Sequence, residues 1–568
     1  MPLDAATDSY SRIGLREYVR TTGTKLFDRG NLLTLWQEMA ENFYAERADF
    51  TMVRTQGDEL ARNLMSSYPL VLRRDLGNSM SAMLRPMRTP WFKNRTNRPD
   101  REDTEARQWL DKATDLQYRA MYDRRASFIR AAREADHDYV TFGQAVIQTE
   151  LYRPKDGTHP RMLYRCRHLR DMAWREDTTG QIDTIYRRDK PDALSVCRLW
   201  PKTVHRKVKE KVFTATNRDP YAEVNVWHCV IPSDLYAELP GGKPIKQPWV
   251  SIYYDMDNDQ ELECVGQWTR GYVIPRWQTV SGSQYAHSAA TVAALPDARL
   301  LQAVTLVLLN VGEKAADPPL IAVDEAVRSD YALYAGGVTK VDADYDERMG
   351  EVLRPITQDK TGLPFALELI RDLRLMLKDA TFLSKMDMPP VGGPEMTAYE
   401  VGQRVQEYIR NALPLFEPIE VDYSAWLCED TFELLFRNSP EMQQTLPRSL
   451  MGAERQFEFE SPLRAASEKA KAGMLIEAGN IIANASQLDP SVALMPDMKK
   501  ATRDVLHAVV PAGWLNTEKV VDEMLAEKAA QEQQAKLMAL MEQGAGIAKT
   551  TSEAAGNMAT ALPQFGLA

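Results

Sequence analysis

The strongest constraint on the fold is an apolar helical stretch that ends at two consecutive prolines. Five apolar residues recur there at helical spacing, and further apolar residues lie between them. The five are Leu300, Val304, Val307, Leu308 and Val311. Pro318 and Pro319 stop the helix, because proline lacks an N–H and clashes with the preceding turn. A helix that is apolar on more than one face must be covered from several sides, either inside one core or between subunits.

A second helix of similar length is predicted after a short insertion. The first helix opens around Leu295-Pro296-Asp297 within residues 291–316, and the second covers residues 364–384. The apolar set of the second helix is Leu369, Ile370, Leu373, Leu377 and Phe382. Between the two helices, strand-like pieces at Leu320 and Val338 and a Gly336-Gly337 turn predict a small α/β cap.

A proline- and glycine-rich loop follows the second helix. Residues 385–394 contain three prolines and two glycines, so we expect no regular helix there. A third helical pattern then runs over residues 395–437, with bends predicted at Pro414 and Pro418. Further helices are predicted towards the C-terminus, and the composition from Thr517 onwards is typical of a helical and then flexible tail.

The first half of the chain divides into two parts by residue pattern. Residues 1–150 are mainly helical by periodicity, for example at 31–45. From about residue 143 to 277 the pattern changes to short β-rich runs at 145–151, 182–186, 222–231 and 249–254. The predicted fold class is therefore α+β and mainly helical.

Charge and cysteine content narrow the function classes. The 568 residues carry a net charge of −10, which disfavours tight nucleic-acid binding by the molecule as a whole. The five cysteines form no C-x-x-C pair, so we expect a reducing compartment. The first residues show no secretion signal, and the apolar run 300–311 is shorter than the roughly 20 residues that span a bilayer. We expect neither secretion nor membrane insertion.

No catalytic motif is present in the sequence. It has no phosphate-binding loop, no H-E-x-x-H, no G-x-S-x-G and no dinucleotide glycine fingerprint. His228 and Cys229 are adjacent on a predicted strand and should point to opposite faces. The acidic residues from Asp342 to Glu347 lack the spacing of a calcium loop and are better explained by a solvated turn. We expect no enzyme, no catalytic residues, no metal and no cofactor.

A basic cluster surrounds Trp91-Phe92 and allows two interpretations. Arginines and lysines beside exposed aromatic rings can bind phosphates and stack on bases. A surface loop held by a buried Trp-Phe pair explains the same residues. The cluster consists of Arg85, Arg88, Lys93, Arg95 and Arg98.

The order of these parts, and seven phrases within them, resemble the portal (head-to-tail connecting) proteins of short-tailed, podovirus-type bacteriophages. The phrases follow the family's order over about residues 30–440. They are PMRTPWF at Pro86, FGQAV at Phe142, IPRW at Ile274, GSQY at Gly282, ALPD at Ala294, ADPPL at Ala316 and MTAYEV at Met396, the last followed by Gln403-Arg404 and Glu407. Two departures are Ala286 in place of the family's glycine and Tyr399 in place of its threonine.

The resemblance implies a cyclic ring of about twelve subunits at one capsid vertex, the channel for packaging and ejection of double-stranded DNA. It implies wing, stem, clip and crown parts. These are wing 1–290, stem helix 1 at 291–316, clip 317–363, stem helix 2 at 364–384, tunnel loop 385–396, a long bent helix returning to the wing at 397–470, and crown with tail at 471–568.

The resemblance also implies roles for particular residues. The ten apolar residues named above for the two long helices would pack the stem. The channel loop would comprise Lys385, Met386, Asp387, Met388, Pro389, Pro390, Val391, Gly392 and Gly393. The clip interface would comprise Pro318, Pro319, Leu320, Ile321, Val338 and Val341. Arg371, Arg374 and Lys378 are candidate channel cations, or they pair between subunits with Glu368, Asp372 and Asp379.

Partners and location follow from the same resemblance. The clip would dock the terminase large subunit and later the tail adaptor and nozzle proteins, and the wing would contact the major capsid and scaffold proteins. The protein would be found in the virion, and in the host cytoplasm during assembly. The alternatives are a DNA-packaging or recombination enzyme, a nuclease or ATPase, and a pore-forming or scaffold protein without DNA traffic.

Overall fold

The structure is a computed structural model in which particular stretches of the chain are described. These are residues 14–55, 57–61, 64–86, 90–97, 104–154, 160–214, 218–240, 242–316, 318–322, 340, 353–355, 362–386, 419–452, 454–459, 524, 526–528 and 531. Everything below concerns these residues.

Thirteen α-helices make up a little under half of the described chain. They are α1 Leu15–Phe27, α2 Gly30–Phe43, α3 Tyr68–Leu84, α4 Thr104–Met121, α5 Phe128–Phe142, α6 Ala193–Leu199, α7 Arg206–Phe213, α8 Ser233–Glu238, α9 Thr291–Ala316, α10 Gly362–Ala380, α11 Leu383–Met386, α12 Trp426–Asn438 and α13 Pro440–Gln444. A π-helix, Glu420–Ala425, leads directly into α12.

Within the described residues, twelve strands form four sheets. They are β1 Phe92–Thr96, β2 Ile147–Tyr152, β3 Arg161–Cys166, β4 Met172–Glu176, β5 Ile182–Asp189, β6 Val226–Pro232, β7 Trp249–Asp255, β8 Gln260–Gln267, β9 Tyr272–Val273, β10 Leu320–Ala322, β11 Leu353–Pro355 and β12 Arg455–Phe459. The largest sheet has the order β4-β5-β6-β7-β8, and the others are β3-β2-β9, β10-β11 and β1-β12. The predicted α+β class and the helix-then-strand order are confirmed.

The main core is organised around Trp36 on α2. Its ring contacts Phe50, Phe142 and Tyr285 at centroid distances of 5.6, 6.2 and 5.8 Å. The guanidinium of Arg29 lies 5.2 Å from the Trp36 ring and donates to the carbonyl of Leu169. Each aromatic pair adds about 1 kcal/mol beyond area burial, and a desolvated cation–π contact adds about 2 kcal/mol. This cluster joins the helical N-terminal part to the sheets.

The Tyr285-Ala286 departure from the family phrase is accommodated without strain. Tyr285 packs on Trp174 at 4.7 Å, and the Ala286 N–H donates to Oε1 of Gln144 at 3.0 Å. Ala286 is fully buried, and the left-handed backbone of this turn is taken by Gly282, whose φ is +88°. An alanine therefore fits there with ordinary backbone angles.

The described chain divides into two compact units. The first comprises the described residues within 14–95, 111–446 and 455–459, and it contains the sheets β2–β9 and the helices α9 and α10. The second comprises those within 96–110 and 447–454 and the few residues between 524 and 531. Within the second unit, Asn97 donates its backbone N–H to the carbonyl of Glu454 and its side-chain amide to Oε2 of the same residue.

Candidate functional site

The candidate site is a hairpin formed by α9, β10, β11 and α10, here called the helical hairpin. Its first helix is fixed at the N-terminal end by a hydroxyl network. Thr291 donates its hydroxyl to the carbonyl of Thr141 at 2.6 Å, and Ser288 donates to that of Val140 at 2.6 Å. Ala294, Ala298 and Leu301 are fully buried below this network.

A close approach of two chain segments requires a glycine beside this anchor. Gly143 ends α5 with a φ of +74°, and a Cβ there would lie 2.1 Å from the carbonyl carbon of His287. No other residue type fits without moving the segment that leads into α9. The FGQAV phrase contains this glycine.

The helix α9 covers the range 291–316 given for the first long helix, but it does not open at Leu295-Pro296-Asp297 as the sequence pattern predicted. The helix begins at Thr291, a full turn before Leu295-Pro296-Asp297, and Pro296 lies inside it. The Ser288 hydroxyl oxygen accepts the Thr291 N–H at 3.1 Å, which supplies a helix start that the proline was expected to supply. Pro296 is the sixth residue of α9, so it removes the N–H that would bond the Val292 carbonyl, and the helix continues past it.

A polar clamp holds both helices midway along their length. Gln302 on α9 accepts the backbone N–H groups of Met65 and Ser66, each at 2.8 Å, and donates to the carbonyl of Ser66 at 2.9 Å. Tyr68, two residues further on, donates to the carbonyl of Arg374 on α10 at 3.2 Å. Gln302, a polar residue inside the apolar run of α9, therefore ties this helix to the segment that leads into α3.

The second long helix is shorter than predicted and is followed by a break. Instead of one helix over 364–384, α10 ends at Ala380 and α11 begins at Leu383. Phe382 between them has a φ of +58°, and its ring lies 6.3 Å from that of Trp277. A left-handed, bulky residue interrupts helical hydrogen bonding, and packing on Trp277 accompanies the interruption.

The ten predicted stem residues divide by exposure in the single chain. Ile370, Leu373 and Leu377 on α10 are buried. Val304, Leu308, Val311, Leu369 and Phe382 are half-buried. Leu300 and Val307 are exposed, Val307 by 59%. The two helices thus cover each other along one side only.

Further apolar side chains of the hairpin are exposed, and sequence periodicity did not single them out. They are Leu306 and Leu309 on α9, and Phe365, Leu367, Leu375 and Met376 on α10. Phe365 is 70% exposed and Leu375 is 62% exposed. The sequence signal for these residues was that α10 has more apolar residues than one face of a helix can hold, so that some of them must lie on a second face. Several large apolar side chains exposed on two adjacent helices indicate an interaction surface.

One finding opposes a sequence expectation about α9. Measured over its 26 residues, α9 is long and apolar enough to cross a membrane by length and composition, and it is the one such helix in the described chain. The expectation of a run too short to span a bilayer considered twelve residues only and is wrong on that ground.

The strand pair at the far end of the hairpin is defined by its register. Leu320 pairs with Pro355, Ile321 with Arg354 and Ala322 with Leu353. Of the predicted clip residues, Pro318 is half-buried and Pro319, Leu320 and Ile321 are exposed. Val338 and Val341 lie outside the described residues, and Lys340 between them is not in a strand.

The predicted channel residues are described in part. Arg371 and Arg374 are exposed on α10, as are Glu368, Asp372 and Asp379, and Lys378 is half-buried. The Arg374 guanidinium lies 5.4 Å from the Tyr68 ring. Lys385 and Met386 close α11 and are therefore helical, contrary to the expectation of a loop from residue 385. The remaining loop residues, 387–393, lie outside the described part of the chain.

The structure decides between the two interpretations of the basic cluster around Trp91. Trp91 and Phe92 are buried, and Arg85 is a buried partner of Asp136. Burial disfavours the charged form of Arg85, but the Asp136 carboxylate outweighs burial, so the arginine pKa is raised. Arg95 pairs with Asp111 and Glu458. The buried-anchor interpretation is confirmed for Trp91 and Phe92, while Arg88 and Arg98 are outside the described residues.

His228 and Cys229 point to opposite faces of β6, as predicted. The His228 ring bonds Tyr272 through Nδ1 at 2.6 Å and Ser251 through Nε2 at 2.7 Å, and it stacks on Tyr253. Burial, followed by the charge of Arg187, lowers the His228 pKa well below its usual value. Burial raises the Cys229 pKa to about 12. Both groups are buried and neutral, and they do not form a thiol–imidazole pair.

A cleft of about 460 Å³ lies between β5, β7 and α12. Three indole rings line it, those of Trp249, Trp268 and Trp426, and the Arg270 guanidinium stacks 4.1 Å from Trp426. Asp430 is buried in its wall, and this burial raises the Asp430 pKa to about 7. Among the described residues no group of three or more His, Cys, Asp or Glu is arranged to hold a metal ion.

A family model described as "Bacteriophage head to tail connecting protein" matches residues 24–513. The chain belongs to the bacteriophage head-to-tail connecting protein family. The resemblance inferred from the seven sequence phrases is therefore confirmed, and most of the chain is covered. As a head-to-tail connector, the protein is a virion component at the capsid vertex, with capsid and tail proteins as its partners.

Two named relatives support the family assignment. A probable portal protein of Bordetella phage BPP-1 is 24% identical over 445 residues, 77% of this chain and 77% of the relative. A portal protein of Salmonella phage epsilon15 is 24% identical over 345 residues, 59% of this chain and 60% of the relative.

Two solved structures are similar to this chain, both with a low TM-score. A chain from the virion of a native gene transfer agent particle has a TM-score of 0.35 at 10% identity, covering 78% of this chain and 88% of that one. A chain from the neck of an empty gene transfer agent particle has a TM-score of 0.35 at 11% identity, covering 73% and 90%.

Proposed function

We propose that this connector forms a closed ring of about twelve identical subunits around a channel for double-stranded DNA. The observation that supports the ring is the uncovered apolar surface of the helical hairpin. Each subunit of a cyclic ring meets its neighbours through two different faces. Apolar residues exposed on both α9 and α10 match that requirement, since one helix would face each neighbour.

Within this proposal the hairpin is the stem, and the β10-β11 end with residues 317–363 is the clip. The clip docks the terminase large subunit during packaging, and the tail adaptor and nozzle proteins afterwards. Residues 1–290 and 397–470 form the wing, which meets the major capsid and scaffold proteins, and 471–568 form the crown and tail. Assembly takes place in the host cytoplasm.

The negative net charge of the chain is compatible with a channel through which double-stranded DNA slides. About twelve copies at −10 each give roughly −120, and a wall with few cations makes few salt-stable phosphate contacts. Arg371 and Arg374 are exposed on α10 and would form rings of cations at the channel. The alternative role for both, together with Lys378, is pairing with Glu368, Asp372 or Asp379 of a neighbouring subunit, and loop residues 387–393, which follow α11, would then be the DNA contact.

The experiment that tests the ring is mass photometry with negative-stain imaging of the full chain. We expect closed rings with about twelve times the subunit mass of 64.4 kDa. Monomers or compact dimers at every protein concentration and salt would contradict the proposal. Adding liposomes tests the alternative that α9 crosses a membrane. A protein inserted through α9 would float with the liposomes in a flotation gradient, whereas a soluble ring would stay at the bottom.

The connector role requires no catalysis by this chain. Purified rings are expected to hydrolyse no ATP and to cut no duplex DNA, because packaging energy would come from the terminase. Turnover above that of a mock purification in either assay would support the packaging-enzyme alternative instead.

A further inference from the structure

A second unusual surface is a concentration of positive charge on α6 and α7. Residues 198–218 contain seven Lys or Arg and one Glu, a local charge of +6 in a chain whose total is −10. The remaining residues therefore carry −16. The segment is positively charged although the whole molecule is negatively charged. The net charge of −10 therefore does not disfavour binding of an anionic partner at this segment.

The packing of α7 fixes which of its side chains face outward. Val208 and Val212 are buried, in a small core with Val196 and Val204. Lys207 and Lys211, spaced four apart, are exposed on the neighbouring face of the helix, and Lys202 is exposed in the turn before it. The patch therefore projects its ammonium groups from a fixed backbone.

The turn between α6 and α7 is tied to the large sheet. The Trp200 indole N–H donates to the Glu263 carboxylate at 2.7 Å, and the Thr203 hydroxyl donates to the carbonyl of Leu262 at 2.5 Å. Both acceptors are on β8. A surface supported in this way does not have to be ordered at the moment of binding, which lowers the entropy cost.

The outward lysines are not neutralised by their surroundings. Arg206 pairs with Glu210, but Lys202, Lys207 and Lys211 have no carboxylate within salt-bridge distance among the described residues. Lys207 and Lys211 also repel each other, because like charges four residues apart on a helix are neighbours and destabilise it slightly. An anionic partner that lies across both would relieve this repulsion.

We propose that the α6–α7 patch binds the phosphate backbone of duplex DNA without reading its sequence, outside the channel loop. Lysine is a flexible point charge suited to phosphates, and duplex presents one negative charge per about 1.7 Å of its axis. The choice of DNA rests on the proposed function, since a connector of this kind meets packaged genome. The patch is separate from the hairpin in sequence and in its own small core.

The test compares duplex binding by three forms of the full chain, using a fluorescent 30-base-pair duplex across a salt series. Lys202→Gln/Lys207→Gln/Lys211→Gln should bind more weakly and lower the slope of log affinity against log salt by about three. The matched control, Lys25→Gln/Lys112→Gln/Lys246→Gln, removes the same charge from other exposed positions and should bind like the wild type. Mass photometry of each sample shows separately whether rings form, so failure of the ring and failure of DNA binding are distinguishable.

Two results would overturn the assignment. One is equal DNA binding by the patch variant and the control, or none by the wild type. The other is competition by polyglutamate as strong as competition by unlabelled duplex, with loss of polyglutamate binding in Phe213→Ser/Tyr221→Ser, which would indicate an acidic protein partner. Phe213 and Tyr221 are 75% and 78% exposed beside the lysines and would dominate only a protein contact.

Discussion

The five-stranded sheet and the helical hairpin differ in how far the chain itself covers their apolar side chains. At the central strands β6 and β7 of the sheet, the chain covers both faces itself: Cys229, Ile252 and Val230 have no exposed surface, and even His228 finds two partners. In the hairpin, the chain covers one side of each helix and leaves Val307, Phe365 and Leu375 in solvent. The difference separates what a subunit needs for its own stability from what it offers to another molecule.

The largest expected effect is on assembly. Val307→Asp/Phe365→Asp should abolish ring formation, because a buried uncompensated carboxylate at each contact costs several kcal/mol and is repeated in every subunit. Mass photometry would show monomers, while circular dichroism would stay unchanged since both residues are exposed in the single chain. Val280→Asp, at another exposed apolar residue outside the hairpin, is the control and should still form rings.

The buried ion pair between Arg85 and Asp136 should affect the stability of the single subunit rather than ring assembly. Arg85→Met leaves Asp136 buried without its cation, and we expect a loss of about 3 to 5 kcal/mol in the free energy of unfolding. Urea denaturation of the monomeric Val307→Asp/Phe365→Asp background measures it. An unchanged urea midpoint would show that Asp136 has another source of compensation.

Two leucines on the same helix give the sharpest comparison. Leu377→Ala opens a cavity at a fully buried site and should cost about 2 to 5 kcal/mol in the monomeric background, whereas Leu375→Ala should change stability by less than about 0.5 kcal/mol. In the otherwise wild-type chain, Leu375→Ala should instead weaken the ring. Equal destabilisation of the monomer by both substitutions would contradict the exposed face of α10.

The smallest expected effect is a pH dependence that comes from Asp430. Its folded pKa of about 7 exceeds that of an unfolded aspartate, so the folded state holds the extra proton and stability falls as pH rises through 7. From pH 5.5 to 8 the loss should be about 2 kcal/mol, and Asp430→Asn should remove this part of the pH dependence. The urea midpoints of both forms at the two pH values provide the measurement.

Much of the fold was predictable because periodicity and turn residues are local signals. The strands at 182–186 and 249–254, the helix at 31–45 and the hairpin helices all exist, with ends displaced by a few residues. The break at Phe382 was not predictable, since neighbouring packing on Trp277, not a glycine or proline, accompanies it. The start of α9 at Thr291 depends on Thr141 and Val140, which are about 150 residues away in sequence.

The candidate site was predicted in outline but not in its side chains. The apolar set predicted for the second helix includes Ile370, Leu373 and Leu377, which are buried in the structure. Apolar spacing could not tell that Leu300 and Val307 face solvent, because a hydrophobic pattern does not say which face is covered within the chain and which by a partner. The Gln302 clamp was missed because a single polar residue in an apolar run carries no signal about its partners.

The part of the helical hairpin beyond Gln302 can move as one arm about the hydrogen bonds of that residue. Fourteen residues of α9 lie beyond it, so the arm is about 20 Å long at 1.5 Å per residue. A rotation of about 5° at the clamp would move the far end by roughly 2 Å, about the scale on which packed helices shift in known allosteric transitions. A protein that pushes on the β10-β11 tip would thereby load the hydrogen bonds to Met65 and Ser66, which lie in the body of the subunit rather than at the point of contact.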